Sequence, residues 1–476
     1  MRRVTVLRLL LALLLVPGAL QAQVAEAPVR YETDFLSADF HAGRREAVRR
    51  ALPRDGLALL FGAPVRNRSA DTSFEYRQSS DLRYLTGSTE PGTVLLLAPG
   101  GVVVDGRTVR EVLFVPPRDP SQEVWDGRRF GTERAMAQLG VELAVESTRF
   151  NEIVVPLLRD ANHPLFHLPL PVGVEPRTAL AAQLEVFLAH VQPADPRGGT
   201  PPAGARTSDP TLLRGVVDRL REIKTDDEMV LLRRAIDITA EAHREVMAQV
   251  EPGWAEYEIE ALIEYTFKRN GAEEPGFPSI VGSGENSVIL HYESNRRTTK
   301  PGDVIVIDIG AEYHGYSADV TRTIPVDGRF TPEQRAIYEI VLAAQEAGIA
   351  ATRAGNMFFA PHQAAQQVLA RGLADLGLIR NASDGAGLRR FFMHGTSHYL
   401  GLDVHDVGSG GPMAPGTVIT VEPGIYIAAA DDIDPKWWNI GVRIEDDVLV
   451  TESGPVMLSA GAPRTVADIE RVMGAR

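Results

Sequence analysis

Short apolar runs alternate with amphipathic stretches over the first half of the chain. Apolar runs bounded by Gly and Pro are typical of short buried strands, and they occur at 56–64, 92–100 and 110–117. Helices are predicted at 37–53, 131–139 and 175–190. Strands that alternate with helices predict an α/β domain, which we place at residues 31–210.

Proline and glycine interrupt this pattern in the stretch 192–210, which predicts a loop or linker. Beyond it, Thr225 and Glu228 have the spacing of a capping box, in which each side chain satisfies a free backbone N–H at the start of a helix. Apolar residues with helical spacing follow this capping box. We therefore expect a second domain over residues 211–476.

The stretch GDVIVIDIGAEYHGYSADVTRTIPV, residues 302–326, predicts two strands joined by a tight turn at His314 and the glycine after it. A two-residue turn pairs Asp308 with Thr321 and places Asp319 diagonally opposite Asp308 on the same face. Two carboxylates that face each other on an apolar hairpin repel each other and lose hydration, and a cation between them removes both penalties. The alternative for Asp319 is a solvated aspartate at a strand end.

Two glutamates occupy similarly apolar settings. Glu422 ends the strand-like run GTVITVEP, and Glu445 lies within the run IGVRIEDDVLV. An ion pair between Glu445 and Arg443, two residues apart on one face, is an alternative explanation for that run but not for Glu422. Carboxylates with one imidazole suit a hard or borderline divalent cation. Because four carboxylates are too many for one ion with an open position, two ions about 3.5–4 Å apart fit better.

Three of the eleven histidines of the chain lie in FFMHGTSHYLGLDVHD, residues 391–406. They are His394, His398 and His405, and their setting is mostly apolar. Three imidazoles so close together indicate a metal ion, a proton relay or a polar substrate that must be bound. A buried structural histidine is the alternative for any one of them.

Composition narrows the classes of function. The chain has 476 residues, 44% of them hydrophobic and 24% charged, which is the balance of a folded globular protein. Its formal charge of −14 argues against binding to nucleic acid or anionic lipid, because their phosphates would repel it. The sequence has no cysteine, which excludes disulfides, thiolate metal ligands and a cysteine nucleophile.

The first 22 residues have the order of a secretory signal peptide. Arginines precede the apolar run LLLALLLV, residues 9–16, and ALQAQ offers a cleavage point near Ala22. This run is too short to cross a bilayer, which takes about 20 residues. We therefore expect residues 1–22 to be removed and the mature protein to have no membrane span. Its expected location is periplasmic or secreted, and an uncleaved membrane anchor is the alternative.

Five separated motifs match one family in their order and spacing. They are SIVGSGENSVILHY, DIGAEYHGYSADVTRT, FFMHGTSHYLGLDVHDVG, VEPGIYI and GVRIEDDVLVT. In these motifs the chain resembles the pita-bread metallopeptidases (M24B), in their Xaa-Pro aminopeptidase (aminopeptidase P) branch. The resemblance extends from about residue 37 to the end and includes SADTSFEYRQSSDLRYLTGSTEPG. It implies an α/β (α+β) protein, in which a smaller α/β amino-terminal domain precedes a pita-bread catalytic domain.

The resemblance also implies roles for individual residues. The matching metal ligands are Asp308, Asp319, His398, Glu422 and Glu445. Asp319 and Glu445 would bridge two ions, and Glu422 would also shuttle a proton. The residues implied to bind the substrate or to act on it are His291, His394, His405, Tyr426 and Arg443. Of the three clustered histidines, only His398 would therefore bind metal.

The implied activity is release of the N-terminal residue from peptides with proline in second position. A hydroxide that bridges two divalent ions would attack the Xaa-Pro bond. Mn²⁺ is the ion that we expect, with Zn²⁺, Co²⁺ and Fe²⁺ as alternatives. We expect such peptides to be the binding partners, and we expect no binding to nucleic acid. For the oligomeric state, a homodimer or a homotetramer is an alternative to a monomer.

Related folds offer other functions. A prolidase, which cleaves only Xaa-Pro dipeptides, would use the same ligands and remains open. A methionine aminopeptidase needs neither such an amino-terminal domain nor an export signal, and creatinase-like enzymes do not need the metals. A metal-free pita-bread module that binds peptides without cutting them has no reason to keep five ligands and three histidines.

Overall fold

The computed structural model of the protein describes residues 28–193 and 206–474. The predicted signal peptide, residues 1–22, lies outside these residues. Contacts between Cα atoms divide the chain into two units, Met1–Asp34 and Phe35–Arg476. In the first unit, residues 28–34 contain no helix or strand. All of the elements named below belong to the second unit.

Nine strands and six helices make up the described part of the amino-terminal half. The strands are β1 (Leu57–Phe61), β2 (Asn67–Ser69), β3 (Thr72–Ser73), β4 (Val94–Val104), β5 (Arg107–Val115), β6 (Ala144–Glu146), β7 (Leu165–His167), β8 (Val191–Pro193) and β9 (Arg206–Asp209). The helices are α1 (Ala38–Ala51), α2 (Ser80–Thr86), α3 (Pro120–Asp126), α4 (Gly131–Leu139), α5 (Phe150–Arg159) and α6 (Ala179–His190).

Seven of these strands form one mixed sheet in the order β6-β5-β4-β1-β7-β9-β8. Strand β4 is antiparallel to both of its neighbours, and the other pairs are parallel. Every residue of β1 is buried, as its continuous apolar run predicts for a strand covered on both faces. Strands β2 and β3 form a separate exposed hairpin.

The predicted strands correspond to β1, β4 and β5, and the predicted helices to α1, α4 and α6. The prediction of a loop or linker at 192–210 is wrong at both ends, because β8 and β9 pair in parallel and extend the sheet. Residues 194–205 lie outside the described part. Strand β9 has the polar sequence RTSD, and it is a strand because pairing satisfies its backbone whatever its side chains are. The boundary predicted at residue 210 stays a prediction.

Long helices and small sheets make up the carboxy-terminal half. The helices are α7 (Thr211–Glu222), α8 (Asp226–Gln249), α9 (Glu256–Arg269), α10 (Pro332–Ala351), α11 (Ala360–Asp375), α12 (Gly385–Phe391) and α13 (Val466–Met473). The strands are β10 (Glu274–Pro275), β11 (Ile280–Ser283), β12 (Val304–Ile309), β13 (Ala311–Tyr313), β14 (Tyr316–Ser317), β15 (Val320–Pro325), β16 (Val418–Val421), β17 (Gly424–Ile427), β18 (Ile440–Arg443), β19 (Asp446–Thr451) and β20 (Gly454–Met457). They pair as β10-β13-β14, β11-β12-β15, β16-β19-β20 and β17-β18.

Helix α8 begins at the predicted capping box. The Thr225 hydroxyl accepts from the backbone N–H of Glu228, and the Glu228 carboxylate accepts from the backbone N–H of Thr225. Apolar side chains of α8, α9 and α10 pack with those of β12 and β18 in one continuous core, which includes Ile238, Ile259, Val341, Ile307 and Val442. This core supports the strands whose ends carry the candidate site.

The hairpin at 302–326 has the predicted register, with Asp308 opposite Thr321. A two-residue turn joins β13 to β14. Its residues, His314 and Gly315, have φ angles of 47° and 86°. Positive φ at both positions is what a type I′ turn requires, and such turns match the twist of the flanking strands. The turn therefore sets which side chains of the hairpin share a face.

The prediction of two continuous strands is wrong, because the hairpin consists of four short strands in two sheets. The interruption falls at Gly310 and at Ala318 on the facing strand. A Cβ on Gly310 would lie 1.8 Å from the carbonyl oxygen of Ala318, so only glycine permits this close approach. Asp308 and Asp319 flank the interruption.

Within residues 28–193 and 206–474, every helix is too short or too polar to serve as a membrane span.

Candidate metal-binding active site

Five predicted site residues lie at or near the ends of strands in the carboxy-terminal half. Asp308 is the second-to-last residue of β12, and Asp319 directly precedes β15. Glu422 directly follows β16, and Glu445 directly precedes β19. His398 lies in the loop before β16, and its backbone N–H donates to a side-chain hydroxyl of that strand. The separate strands thus bring four carboxylates and one imidazole to one place.

The imidazole of His398 lies close to three of the four carboxylates. Its Nε2 lies 3.2 Å from Asp319 Oδ2. The same nitrogen lies 3.8 Å from Glu422 Oε1 and 3.9 Å from Glu445 Oε1. Nδ1 of His398 lies 3.0 Å from the carbonyl oxygen of Tyr399, which orients the ring so that Nε2 faces the carboxylates. Asp319, His398 and Glu445 each offer one ligand atom, and these atoms lie within 4.8 Å of one another.

Burial and mutual repulsion disfavour ionisation of three of these carboxylates. Burial, and then repulsion from Asp308, raises the pKa of Asp319 well above its usual range. Burial and then repulsion from Asp319 raises the pKa of Glu445 in the same way. Burial raises the pKa of Glu422 to about 7, although the nearby His398 opposes this shift. As protein groups alone these carboxylates destabilise one another, and a cation reverses that effect.

Asp308 differs from the other carboxylates because Arg443 pairs with it. Nη2 of Arg443 donates to Asp308 Oδ2 at 2.6 Å. Burial by itself would raise the pKa of Asp308, but the guanidinium outweighs it and lowers that pKa. The alternative of an ion pair between Arg443 and Glu445 is therefore wrong, since Arg443 forms its ion pair with Asp308. Glu445 Oε2 accepts from the hydroxyl of Thr321 at 2.7 Å.

Buried oxygens without a protein partner test whether a cation fits the cluster. In the described residues, Asp308 Oδ1 and Asp319 Oδ1 are buried and accept no hydrogen bond. Such atoms are rare in folded proteins, because each buried unsatisfied group costs about 1–3 kcal/mol. Carboxylate oxygens with one imidazole nitrogen are the donors that Mn²⁺ and Zn²⁺ accept. The donor set and its unpartnered oxygens therefore fit divalent metal ions.

The cluster opens into a cavity of about 390 Å³. His291, His394 and His405 line it beside the cluster and Arg443. The apolar part of the wall consists of Phe277, Pro278, Ile280, Leu290 and Val404. Sequence analysis did not identify this apolar wall, because its members come from separate segments and no periodic pattern links them. The cavity has the size and the mixed lining of a site for a small organic segment.

Tyr426 is buried, and it connects two residues of the cavity wall. Its hydroxyl oxygen accepts from Arg443 Nη1 at 3.0 Å and lies 2.9 Å from His394 Nε2. Because that hydroxyl has one proton, it donates to His394 Nε2, while His394 Nδ1–H donates to the carbonyl of Gly395 at 2.7 Å. Burial, and next the charge of Arg443, lowers the pKa of His394 to about 4. The His394 ring is therefore neutral at pH 7.

His405 and His291 are the more accessible histidines of the cavity. The ring of His405 lies 4.3 Å from the ring of His398, measured between centroids. Burial, followed by the proximity of His398 and His291, lowers the pKa of His405. An imidazole N–H can donate a hydrogen bond, so either of these rings can bind a peptide carbonyl.

Thr321 is a functional residue that sequence analysis used only as the register partner of Asp308. Its hydroxyl donates to Glu445 and accepts from Arg443 Nε at 3.3 Å. The alternation of a strand puts residues 319 and 321 on one face, and this was the signal that could have found it. His362 lies near the site but is not among the residues that line its cavity, and no pattern in the sequence points to it. Its Nδ1 lies 2.8 Å from the hydroxyl of Thr396.

Comparison with known proteins agrees with this geometry. Residues 230–452 match Metallopeptidase family M24, and residues 41–166 match the aminopeptidase P N-terminal domain. The Xaa-Pro aminopeptidase of Escherichia coli (strain K12) is 38% identical, over 90% of this chain and 96% of its own length. The Xaa-Pro aminopeptidase 3 of Homo sapiens is 32% identical, over 88% of this chain and 81% of its own length.

Solved structures give the same result. The aminopeptidase P from E. coli with the inhibitor Pro-Leu has a TM-score of 0.81 and 37% identity, and the match covers 93% of this chain and 99% of that one. The aminopeptidase PepP of Pseudomonas aeruginosa has a TM-score of 0.82 and 37% identity, with the same coverage. These values show likeness over nearly the whole length of these two solved structures.

The fold and the carboxylate cluster define a metallopeptidase, and the chain belongs to metallopeptidase family M24. Its relatives within that family include Xaa-Pro aminopeptidases, and in this chain the region that matches the aminopeptidase P N-terminal domain precedes the region that matches family M24. The predicted family, the predicted fold and the predicted class of enzyme, a metal-dependent hydrolase, are confirmed. Divalent metal ions as a class are likewise supported.

Proposed function

We propose that the enzyme releases the N-terminal residue from peptides whose second residue is proline, with two divalent metal ions bound in the carboxylate cluster. The observation that carries this proposal is the meeting of buried carboxylates and one imidazole at a cavity with an apolar wall. The proposed ligands are Asp308, Asp319, His398, Glu422 and Glu445. The names of the relatives and a solved E. coli enzyme with the inhibitor Pro-Leu support the same substrate class.

Asp319 and Glu445 are the proposed bridging ligands between the two ions. Both are buried, and each feels the charge of at least two other carboxylates of the cluster. Carboxylates in the middle of such a group can offer one oxygen to each ion. We propose Mn²⁺ as the ion, with Zn²⁺, Co²⁺ and Fe²⁺ as alternatives, because the donor set accepts all four. A zinc-substituted E. coli aminopeptidase P is among the solved relatives.

When bound, the ions would supply the hydrolytic nucleophile by lowering the pKa of a water molecule towards neutrality. Glu422 is the proposed proton carrier, because its carboxylate borders both the cluster and the cavity. Its Oε2 lies 3.7 Å from His394 Nδ1, so a proton taken up there stays next to the histidines that contact the peptide.

The histidines of the cavity are the proposed contacts of the peptide backbone. His405 and His291 can donate to a peptide carbonyl, and stronger hydrogen bonds to a developing oxyanion speed the reaction. His394 is already bonded through both nitrogens, so the peptide must compete with Tyr426 for Nε2. Arg443 keeps that hydroxyl in place while it also pairs with Asp308.

The apolar wall explains selection of proline. Proline in second position makes a tertiary amide, so the bond to be cut has no N–H to satisfy. A site for this bond needs a surface for the pyrrolidine ring and no acceptor for an amide hydrogen. Phe277, Pro278, Ile280, Leu290 and Val404 provide that surface.

The test of this function uses protein that is stripped with a chelator and reloaded with Mn²⁺, Zn²⁺ or Co²⁺. The substrates are an Xaa-Pro-Xaa tripeptide, an Xaa-Ala-Xaa tripeptide and an Xaa-Pro dipeptide. Metal-dependent release of the first residue from the proline tripeptide alone supports the proposal. Cleavage of the dipeptide alone would make the enzyme a prolidase. No cleavage with any metal would contradict both and favour a peptide-binding module.

We also propose that the enzyme is exported after removal of residues 1–22, to the periplasm or the medium. The support is the order of arginines, apolar run and cleavage point in the sequence. Expression of the full-length chain in a bacterium, with fractionation and N-terminal sequencing, tests it. A new N-terminus near residue 23 in the exported fraction is expected, and an intact Met1 in the cytoplasm would contradict it.

Light scattering of the same preparation decides between a monomer and the dimer or tetramer that we propose as alternatives.

A further inference from the structure

His405 lies in a loop that folds back on itself, and contacts of its neighbours fix this loop. The backbone N–H of Asp406 donates to the carbonyl of Tyr399 at 2.9 Å and closes the loop. Residues 401–405 form neither helix nor strand. The position of the His405 ring therefore depends on what holds the side chains next to it.

A single guanidinium holds the carboxylates on both sides of His405. Nη2 of Arg221, at the end of α7, donates to Asp403 Oδ2 at 2.7 Å and to Asp406 Oδ1 at 2.5 Å. Nζ of Lys224 donates to Asp406 Oδ2 at 3.1 Å. The side chains of Arg221, Lys224 and Asp406 are 3%, 1% and 1% exposed. Ion pairs that are so fully buried have a strict geometry, because neither partner can turn to water.

The same guanidinium also reaches the amino-terminal half. Nη1 of Arg221 donates to Asp81 Oδ1 at 2.7 Å, and Asp81 belongs to α2. Ser80, the first residue of α2, donates through its hydroxyl to Asp403 Oδ1 at 2.6 Å. The loop with His405 is thus held between α7 and α2, which lie on either side of the predicted domain boundary.

We propose that Arg221 is a positioning residue for His405, and that through Arg221 and Ser80 the amino-terminal domain takes part in setting the catalytic geometry. If the guanidinium is lost, buried Asp406 keeps Lys224 but loses its second cationic partner, half-exposed Asp403 loses its ion pair with Arg221, and the loop moves in response. A displacement of about 1 Å in a catalytic group can lower a rate about 100-fold. The inference rests on the proposed function, because it takes His405 to contact the peptide.

The first experiment compares Arg221→Gln with the wild-type enzyme on the proline tripeptide. We expect kcat to fall about 10- to 100-fold with unchanged metal content and little change in KM. Arg221→Lys should recover part of this loss, since an ammonium keeps the charge but cannot reach three carboxylates at once. The matched control is Arg214→Gln, on the same helix. Arg214 also pairs with Asp81, but it does not contact the loop, so kcat should stay within about twofold.

The second experiment separates positioning from general destabilisation. In a His405→Ala background, Arg221→Gln should lower kcat by no more than about twofold, because the group that it positions is gone. A reduction equal to that in the wild-type background would overturn the proposal.

Amide hydrogen exchange at Asp406 gives a readout that is independent of activity. Exchange should be faster in Arg221→Gln than in wild type and unchanged in Arg214→Gln. Unchanged exchange in Arg221→Gln would contradict the proposal. A wild-type enzyme that does not cleave the proline tripeptide would contradict the proposed function, and the exchange result would still decide whether Arg221 fixes the loop.

Discussion

Glu445 and Asp446 are neighbours in the chain, and both are buried carboxylates, but their surroundings differ. Asp446 Oδ1 accepts from Arg322 Nη2 at 2.7 Å and from the Ser459 hydroxyl at 2.5 Å, and Oδ2 accepts from Gln345 Nε2 at 2.8 Å. Glu445 accepts one side-chain hydrogen bond in the described residues, from Thr321.

The charge environment completes this comparison. Asp446 forms an ion pair with Arg322, and both side chains are 0% exposed. Burial raises the pKa of Glu445, and the nearby charges of Asp319, Glu422 and Asp308 raise it further. The protein thus neutralises one carboxylate itself and leaves the other to be neutralised by something it binds. The first arrangement is a structural ion pair, and the second is typical of a functional site.

The two arrangements are physically linked through Arg322. Its Nη1 donates to the backbone carbonyls of Thr321 and Glu445, at 2.9 Å and 2.7 Å. The neutralised pair of Arg322 and Asp446 therefore holds the backbone of residues that face the candidate metal site. Because its partners are internal, this pair should stay in place whether or not metal is bound.

The largest expected effect comes from Asp319→Asn, which removes a charge from the group that the protein does not neutralise. Activity should fall about 1,000-fold or more, since loss of a proposed bridging ligand would remove about 4 kcal/mol of stabilisation of the transition state. The chelator-treated variant should be as stable as wild type or more so, because repulsion is relieved. Activity assays and melting curves measure both effects, with the exposed Asp432→Asn as control. Near-normal activity would contradict the assignment of Asp319 as a metal ligand and would remove the basis for contrasting Glu445 with Asp446.

The next effect concerns Asp446→Ala, which should lower the free energy of unfolding by about 3–5 kcal/mol. Loss of the carboxylate leaves Arg322 buried without a counter-charge. Urea denaturation in the presence of chelator measures this directly. A loss smaller than about 1 kcal/mol, typical of an exposed ion pair, would show that Asp446 is not the structural member of the two.

A smaller effect is expected for His394→Ala. It should keep the full metal content and lose about 100-fold in kcat, since the variant removes a group that we propose contacts the peptide and leaves the proposed ligands in place. Elemental analysis and steady-state kinetics give the two quantities. Tyr426→Phe, which keeps the ring packing and removes only the hydroxyl, should have a weaker effect. If His394→Ala loses metal, the wrong histidine has been assigned to the substrate.

The smallest effect is a pH dependence of the chelator-treated protein. Glu422 has a pKa of about 7 in the fold against 4.5 ordinarily, so its contribution to stability is complete below pH 4.5 and is lost as the pH rises towards 7. The raised pKa values of Asp319 and Glu445 act in the same direction. We expect the melting temperature to fall by about 2–4 °C between pH 5 and pH 8, and by less in Glu422→Gln. A rise over this range in chelator would be the contrary result.

Much of the candidate site follows from local chemistry and could be predicted. The His314-Gly315 turn sets the register of the hairpin, and this register places Asp308 and Asp319 on one face. Glu422 stands out because it follows an apolar strand directly. A strand end in an apolar setting is an unfavourable place for a carboxylate, which is why the sequence alone predicts a cation at these residues.

The remaining features depend on contacts between distant segments. Arg443 pairs with Asp308 rather than with Glu445, and nothing in the alternation of β18 distinguishes these partners. The close approach at Gly310 divides the hairpin through backbone contact with Ala318, which no propensity encodes. Strand β9 is polar and exists only because β7 and β8 pair with it. In each case the tertiary structure overrides or supplements the local signal.

Metal stoichiometry tests the central claim, that the protein leaves this group of carboxylates for bound ions to neutralise. Chelator-stripped wild type, Asp319→Asn and Asp446→Asn are equilibrated with Mn²⁺, separated from free ion by gel filtration, and analysed for metal per chain. The account predicts about two ions for wild type and Asp446→Asn, and one or none for Asp319→Asn. Equal metal content in wild type and Asp319→Asn, or none in wild type, would contradict it.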